Sequence, residues 1–308
     1  MRTNAWLIVA VMAGLVSGAR ADLIQYFDGY GFIQEVAVSG LVSSYYSDTK
    51  LGQPVTGPTT GTMLPTFGPN PVTYPSPVGP VPSPGGAVGK HFDQGVLGVR
   101  IDGGQMTVSL ASGMDAQTGY YYTGWQTYYG QGDVFIDVQD SGGIRHLALL
   151  SAWARNSDEQ PINLNNGHFD AAQAYHTAGG AGAGSLEGHL VALHTNADVT
   201  LVGGRGSYYA AIAPAGLDLR TFACGGTDLG YANLAHASVS DFGQTWYIQT
   251  WTIQLTDLSA DANFDVALHA AVSCGNDQIG GTFNVPEPSS LLLVAAGIAG
   301  LRITRRPS

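Results

Sequence analysis

Apolar residues recur at alternate positions in short runs along this chain, and no long stretch repeats them at helical spacing, so the pattern predicts strands almost throughout. Phe32 to Val42 alternates in part. Gly95 to Ile101 and Gln105 to Leu110 predict a hairpin across Asp102-Gly103-Gly104, a turn sequence that tolerates positive φ. Further on, Val134, Ile136 and Val138 fall on one face of a strand while Asp133, Phe135 and Asp137 fall on the other. Gly142-Gly143 opens a run from Ile144 to Trp153. More strands are expected at Leu186 to His194, Val199 to Val202, Tyr208 to Ile212, Leu217 to Phe222, Trp246 to Leu255, Phe264 to Ser273 and Gly280 to Phe283. Asp170 to Tyr175 suits one or two turns of helix.

Two segments break this pattern. Ten of the 15 prolines lie between Pro54 and Pro84, and because proline cannot donate to a central ladder, residues 52–90 are expected as one long loop. The run Gly179 to Gly184 is a second low-complexity loop. Many short strands, 43 glycines and hardly any helix point to an all-β, two-sheet antiparallel sandwich of jelly-roll or lectin-like type, with an immunoglobulin-like sandwich as the alternative.

The two ends read as addresses rather than as parts of the sandwich. Arg2, the apolar run Ala5 to Val16 and the small-x-small sequence Ala19-Arg20-Ala21 predict a secretory signal over residues 1–21, with Ala19 and Ala21 at the cleavage site. At the other end, Val285-Pro286-Glu287-Pro288 is followed by an uncharged run to Leu301 and by Arg302, Arg305 and Arg306. The prolines hold an extended stretch open to a processing enzyme, and the arginines favour the cytoplasmic side of a bilayer. Ser289 to Leu301 is 13 residues. As a helix that run spans about 20 Å against a hydrocarbon core of ~30 Å, which suits a transient stop better than a permanent anchor. The expected organisation is therefore a signal peptide (1–21), one domain (22–284) and a terminal segment (285–308).

The Pro286-Glu287-Pro288 motif, the apolar run and the basic end resemble the sorting signal of the exosortase-dependent bacterial surface proteins, the PEP-CTERM proteins. That resemblance implies export, inner-membrane insertion through the C-terminal segment during processing, cleavage by exosortase near the motif, and delivery to the cell surface or extracellular matrix. The stretches Gly132 to Asp137 and Cys274-Gly275-Asn276-Asp277 also look like a recurrent group of such proteins in which a Cys-Gly-Asn-Asp stretch closes the domain. This second resemblance covers residues 93–284 and implies a β-sandwich with no activity attached.

Between the expected cleavage sites stand seven basic and 22 acidic residues, a net charge of −15 that repels nucleic acid and anionic headgroups. Cys224 and Cys274, in an exported chain, are candidates for one disulfide worth about 4 kcal/mol on the chain-entropy model, two buried free thiols being the alternative.

Several chemistries fail on pattern. No serine has glycine two places before and two after, Gly89-Lys90 runs into His91 rather than Ser or Thr, and His189 and His194 fall on opposite faces of a strand. Three glutamates, Glu35, Glu159 and Glu187, remain in the expected domain; Glu35 and Glu187 could serve as a glycosidase pair on neighbouring strands, although a solvated strand face explains both. Oxygen side chains at alternate positions make Asp261, Asn263 and Asp265 a candidate calcium loop, and Asp133, Asp137 and Asp277 a second candidate set. Tyr120, Tyr121, Tyr122, Trp125, Tyr128 and Tyr129 lie within ten residues. Rings of this kind stack on sugars and hydrogen-bond their hydroxyls, and alternate members would pack on the sandwich. The expected function is that of a non-enzymatic surface or matrix protein binding glycan or exopolysaccharide. A glycan-degrading enzyme and a purely structural surface protein are the alternatives.

Overall fold

The computed structural model describes residues 23–27, 30–34, 91, 94–164, 169–178, 185–201, 220–241, 244–261, 263–273 and 278–285. The signal peptide with Ala19 and Ala21, Glu35, the whole proline-rich loop, the Gly179 to Gly184 run, the expected strand at Tyr208 to Ile212, Cys274, Asp277 and everything after Val285 lie outside them.

Two antiparallel sheets pack face to face, as the alternation predicts. The first contains β1 (Gly31–Gln34), β2 (Gln94–Asp102), β3 (Gln105–Ser112), β12 (Ala235–Asp241) and β13 (Gln244–Gln254), in the order β1-β2-β3-β13-β12. The second contains β6 (Gln131–Asp140), β7 (Gly143–Leu149), β8 (His189–Leu193), β11 (Thr227–Tyr231), β14 (Phe264–Val272) and β15 (Gln278–Val285), in the order β11-β8-β7-β6-β14-β15. Among the described residues two smaller antiparallel pairs complete the strands: the hairpin of β4 (Tyr120–Tyr122) with β5 (Thr127–Tyr129), and β9 (Val199–Leu201) paired with β10 (Arg220–Ala223). The β2–β3 turn forms where expected, with Gly103 and Gly104 at φ 56° and 83°, values that glycine reaches without strain.

Side chains from both inner faces fill the space between the sheets. Leu97, Val99, Met106, Val108, Leu110, Trp251 and Ile253 come from the first sheet; Val134, Ile136, Val138, Leu147, Leu149, Val266 and Leu268 come from the second. Full burial contributes about 1.5–3 kcal/mol for each large apolar side chain, so this layer dominates stability. The Trp251 indole satisfies its one donor by bonding the Leu150 carbonyl at 3.1 Å.

Both outer faces are covered as well. Helix α1 (Leu23–Tyr26) leans Leu23 and, just beyond its end, Phe27 on Val96, Ala111, Trp246 and Ile248. Gly98 makes that docking possible, since a Cβ there would lie 2.6 Å from the Phe27 ring. On the second sheet the cover is the β9–β10 pair together with α2 (Asp170–Ala178), which packs Phe169 and Ala172 with Trp153 and Phe222. A short helix α3 (Leu255–Leu258) ends β13 one residue before the strand expectation and turns Leu255 and Leu258 into the core.

The polar face of β6 is where the cover is attached. Asp133 and Asp137 point outward from the sheet, as the alternation requires, yet both are buried beneath β10 and α2. Arg220 of β10 reaches Asp137 in a two-pronged pair, Nη1 to Oδ1 at 2.9 Å and Nη2 to Oδ2 at 3.0 Å. His146 of β7 meets the same carboxylate at 2.7 Å. Asp133 accepts the Ser151 and Ala223 backbone amides at 2.8 and 2.7 Å and pairs with His176 of α2 at 3.0 Å.

Candidate functional site

The six clustered aromatics form a hairpin. Tyr121 stands opposite Tyr128, their rings 4.8 Å apart, while Tyr120 pairs with Tyr129 and Tyr122 with Thr127 on the other face. Alternation divides their roles. Tyr129 is buried with Met114 and Val272, and Tyr120 and Tyr122 pack partly against that cluster; Tyr128 leans on the neighbouring cluster around Trp153. Tyr121 and Trp125 remain 42% and 46% exposed. The tip is fixed: Gln126 takes a positive φ of 51°, Thr127 donates to the Trp125 carbonyl at 2.9 Å, and the Trp125 ring meets Tyr122 edge-on at 4.9 Å. His91 stacks on Tyr120 at 4.0 Å.

The hairpin rises from the wall of a cleft of about 450 Å³. Gln117 and Thr118, just before β4, line one side; Ala152, Trp153, Arg155 and Asn156, after β7, line another. Glu187, Tyr231, Leu234 and His236 close it where the chain crosses from β11 in one sheet to β12 in the other. Within the cleft, Glu187 is held by Arg155, whose Nη2 lies 3.0 Å from each carboxylate oxygen, and by the Trp153 amide at 2.7 Å. Both oxygens of this carboxylate thus have protein partners, and Glu35, its expected catalytic partner, lies outside the described residues. Burial pulls the His236 pKa below its ordinary value despite Asp115 and Glu187 nearby, so its imidazole is neutral at pH 7 and offers both a donor and an acceptor.

Three of the carboxylates singled out for calcium, Asp133, Asp137 and Asp261, accept protein donors. Asp133 holds His176 and Asp137 holds Arg220. Asp261 accepts the Ser141 amide at 2.6 Å, and hydrogen bonding from the Ser141 side chain, then from that amide, draws its pKa below the usual carboxylate value. Asn263 lies exposed just before β14, and Asp265 projects from the exposed side of β14 opposite Gln139. Among the described residues no group of three or more His, Cys, Asp or Glu side chains is placed to hold a metal. Cys224 is a free, partly exposed thiol 3.3 Å from the Ala197 carbonyl, and burial raises its pKa.

Sequence reasoning missed Tyr231, Gln117, Asn156 and His236 as members of one site. Each is isolated in sequence, and only the crossover between sheets assembles them.

Fold and termini together define an exported all-β sandwich whose surface carries an aromatic hairpin beside a polar cleft. Residues 284–306 match the family model of the PEP-CTERM protein-sorting motif. The chain thus carries the PEP-CTERM sorting signal, which supports an exported protein sorted to the cell surface, as the terminal motif implied. No curated protein and no solved structure matches it. Val285, the first residue of the expected motif, is also the last residue of β15, paired with Phe264. No helix among the described residues is long and apolar enough to cross a membrane.

Proposed function

We propose that this surface protein binds glycan of the envelope or exopolysaccharide matrix, without catalysis, through the β4–β5 hairpin. The observation that carries the reading is the exposure of Tyr121 and Trp125 on a hairpin whose remaining aromatics are tied into the sandwich. Large rings left in water but fixed in orientation present apolar faces with polar rims, and a sugar ring stacks on such faces with little ordering cost. The engagement of Glu187 by Arg155 and the Trp153 amide favours binding over glycan hydrolysis.

The test is affinity electrophoresis of the full chain, in mild detergent, through gels containing single polysaccharides. Wild type is expected to be retarded in at least one gel, and Trp125→Ala to migrate faster there with an unchanged melting temperature. Equal retardation of Trp125→Ala and wild type would remove the hairpin from the site. Reducing ends released from a polysaccharide panel, and lost in Glu187→Gln, would turn the assignment to an enzyme.

A further inference from the structure

Tyr231 is the most exposed aromatic ring among the described residues that the hairpin does not explain, at 56%. It is also pinned. Its hydroxyl donates to the Leu234 carbonyl at 3.3 Å, His189 meets the ring edge-on at 5.6 Å, and its inner edge lies against Gly188, where a Cβ would sit 2.7 Å from the ring. Gly188 has φ 80°, a conformation that excludes most side chains and so keeps that seat open. A ring held in one orientation, half in water, on the wall of a cleft is arranged as a platform rather than as core filling.

The rest of the cleft suits an uncharged, hydroxyl-rich ligand. Its volume of about 450 Å³ falls within the range of small-ligand sites. Arg155 and Glu187 neutralise each other, so amides, a hydroxyl and an imidazole make up most of the remaining polar lining. Asn156 uses its Oδ1 for the Asp158 and Gln160 amides, both at 2.9 Å, which fixes its plane; its Nδ2 forms no hydrogen bond among the described residues, and neither does the Gln117 side-chain amide. Donors and acceptors are therefore both present, as sugar hydroxyls require. Glu159 in the lining, and Asp115 beside it, oppose an anionic ligand.

We propose that this cleft is a second sugar subsite, in which Tyr231 stacks on one neutral sugar unit and Gln117, Asn156 and His236 bond its hydroxyls. The inference rests on the glycan-binding reading and extends it: Thr118 on the cleft wall and Tyr120 at the hairpin base are two residues apart, at most about 7 Å of chain, so the cleft adjoins the foot of the hairpin. Two subsites on one strand reinforce each other through effective concentration.

The experiment compares wild type, Tyr231→Ala, Tyr231→Phe and Trp125→Ala, each as the full chain in mild detergent. The gels contain hydroxyethyl cellulose, laminarin, galactomannan or alginate, and melting temperatures are taken alongside. Tyr231→Ala is expected to lose about tenfold in affinity in the neutral gel that retards wild type, and Tyr231→Phe to retain it. Should Tyr231→Ala lower the melting temperature, Gln117→Ala reads the same subsite from the opposite wall. Wild-type-like retardation of both Tyr231→Ala and Gln117→Ala, with Trp125→Ala impaired, overturns the cleft and leaves the hairpin standing. Loss in the cleft variants with Trp125→Ala unaffected upholds the cleft and removes the hairpin. Retardation by alginate alone overturns the neutral ligand, and no retardation in any gel overturns both readings.

Discussion

Removing the carboxylate of Asp137 tests how the outer layer is held. Asp137 and Arg220 are both almost fully buried, and the pair joins β6 to β10 across 83 positions of sequence. Asp137→Ala leaves the buried Arg220 guanidinium over the Phe135 ring, 4.9 Å from its centroid, without the Asp137 carboxylate. Stranding one partner of a buried ion pair costs about 3–5 kcal/mol, because the remaining charge stays desolvated. With a urea slope of roughly 2–3 kcal/mol/M, the unfolding midpoint should fall by about 1–2 M. The double substitution Asp137→Leu with Arg220→Met removes both charges and is expected to recover most of the loss, since an apolar pair of similar volume is often neutral or stabilising. Equilibrium urea unfolding followed by tryptophan fluorescence reads all three. A loss under about 1 kcal/mol in Asp137→Ala, or a double variant no more stable than Asp137→Ala, would refute the ionic attachment.

Three other outcomes follow from the same structure. Both ring nitrogens of His176 face acceptors, the Ser151 carbonyl at 3.2 Å and Asp133 at 3.0 Å, and although burial lowers its pKa, the Asp133 charge and hydrogen bond hold it above the ordinary value. Its contribution is thus fully present below the unfolded value of about 6.5 and is lost as pH rises through the raised folded value; urea midpoints across pH 5.5–9 should show this slope in wild type and not in His176→Gln. Gly132→Ala should destabilise by about 1–3 kcal/mol, because the added Cβ meets the backbone carbonyls of Ala271 and Thr221, neither of which can yield; a melting temperature within a degree of wild type would contradict this. Thr195→Ala should cost about 1 kcal/mol by removing the cap whose hydroxyl accepts the Ala197 amide at 3.2 Å, measured by the same unfolding curves.

Local chemistry was legible in the sequence wherever the determinant was local. Asp102-Gly103-Gly104 specified its own turn, and alternation in β6 assigned Val134, Ile136 and Val138 to the core and Asp133 and Asp137 to the opposite face. What that opposite face meets could not be read, because His176 and Arg220 lie 43 and 83 residues away. Seen without them, closely spaced aspartates resemble cation ligands. Strands β11 and β12 were missed for a different reason: Thr227 to Tyr231 and Ala235 to Ser240 are sheet edges rich in small and polar residues, with little alternation to betray them. The aromatic cluster was visible as composition; its division into packed and exposed rings depends on the hairpin register, with Tyr121 opposite Tyr128.

The last strand also has a mechanical meaning. All eight residues of β15 are in register with β14, from Gln278 opposite Ala271 to Val285 opposite Phe264, and the chain passes from Val285 straight into Pro286. Tension arriving through the C-terminal end, directed along the strand, acts across hydrogen bonds that run perpendicular to it. The whole ladder is then sheared at once instead of being peeled one pair at a time, so load entering at Val285 meets the sheet in the direction in which it best resists being pulled apart.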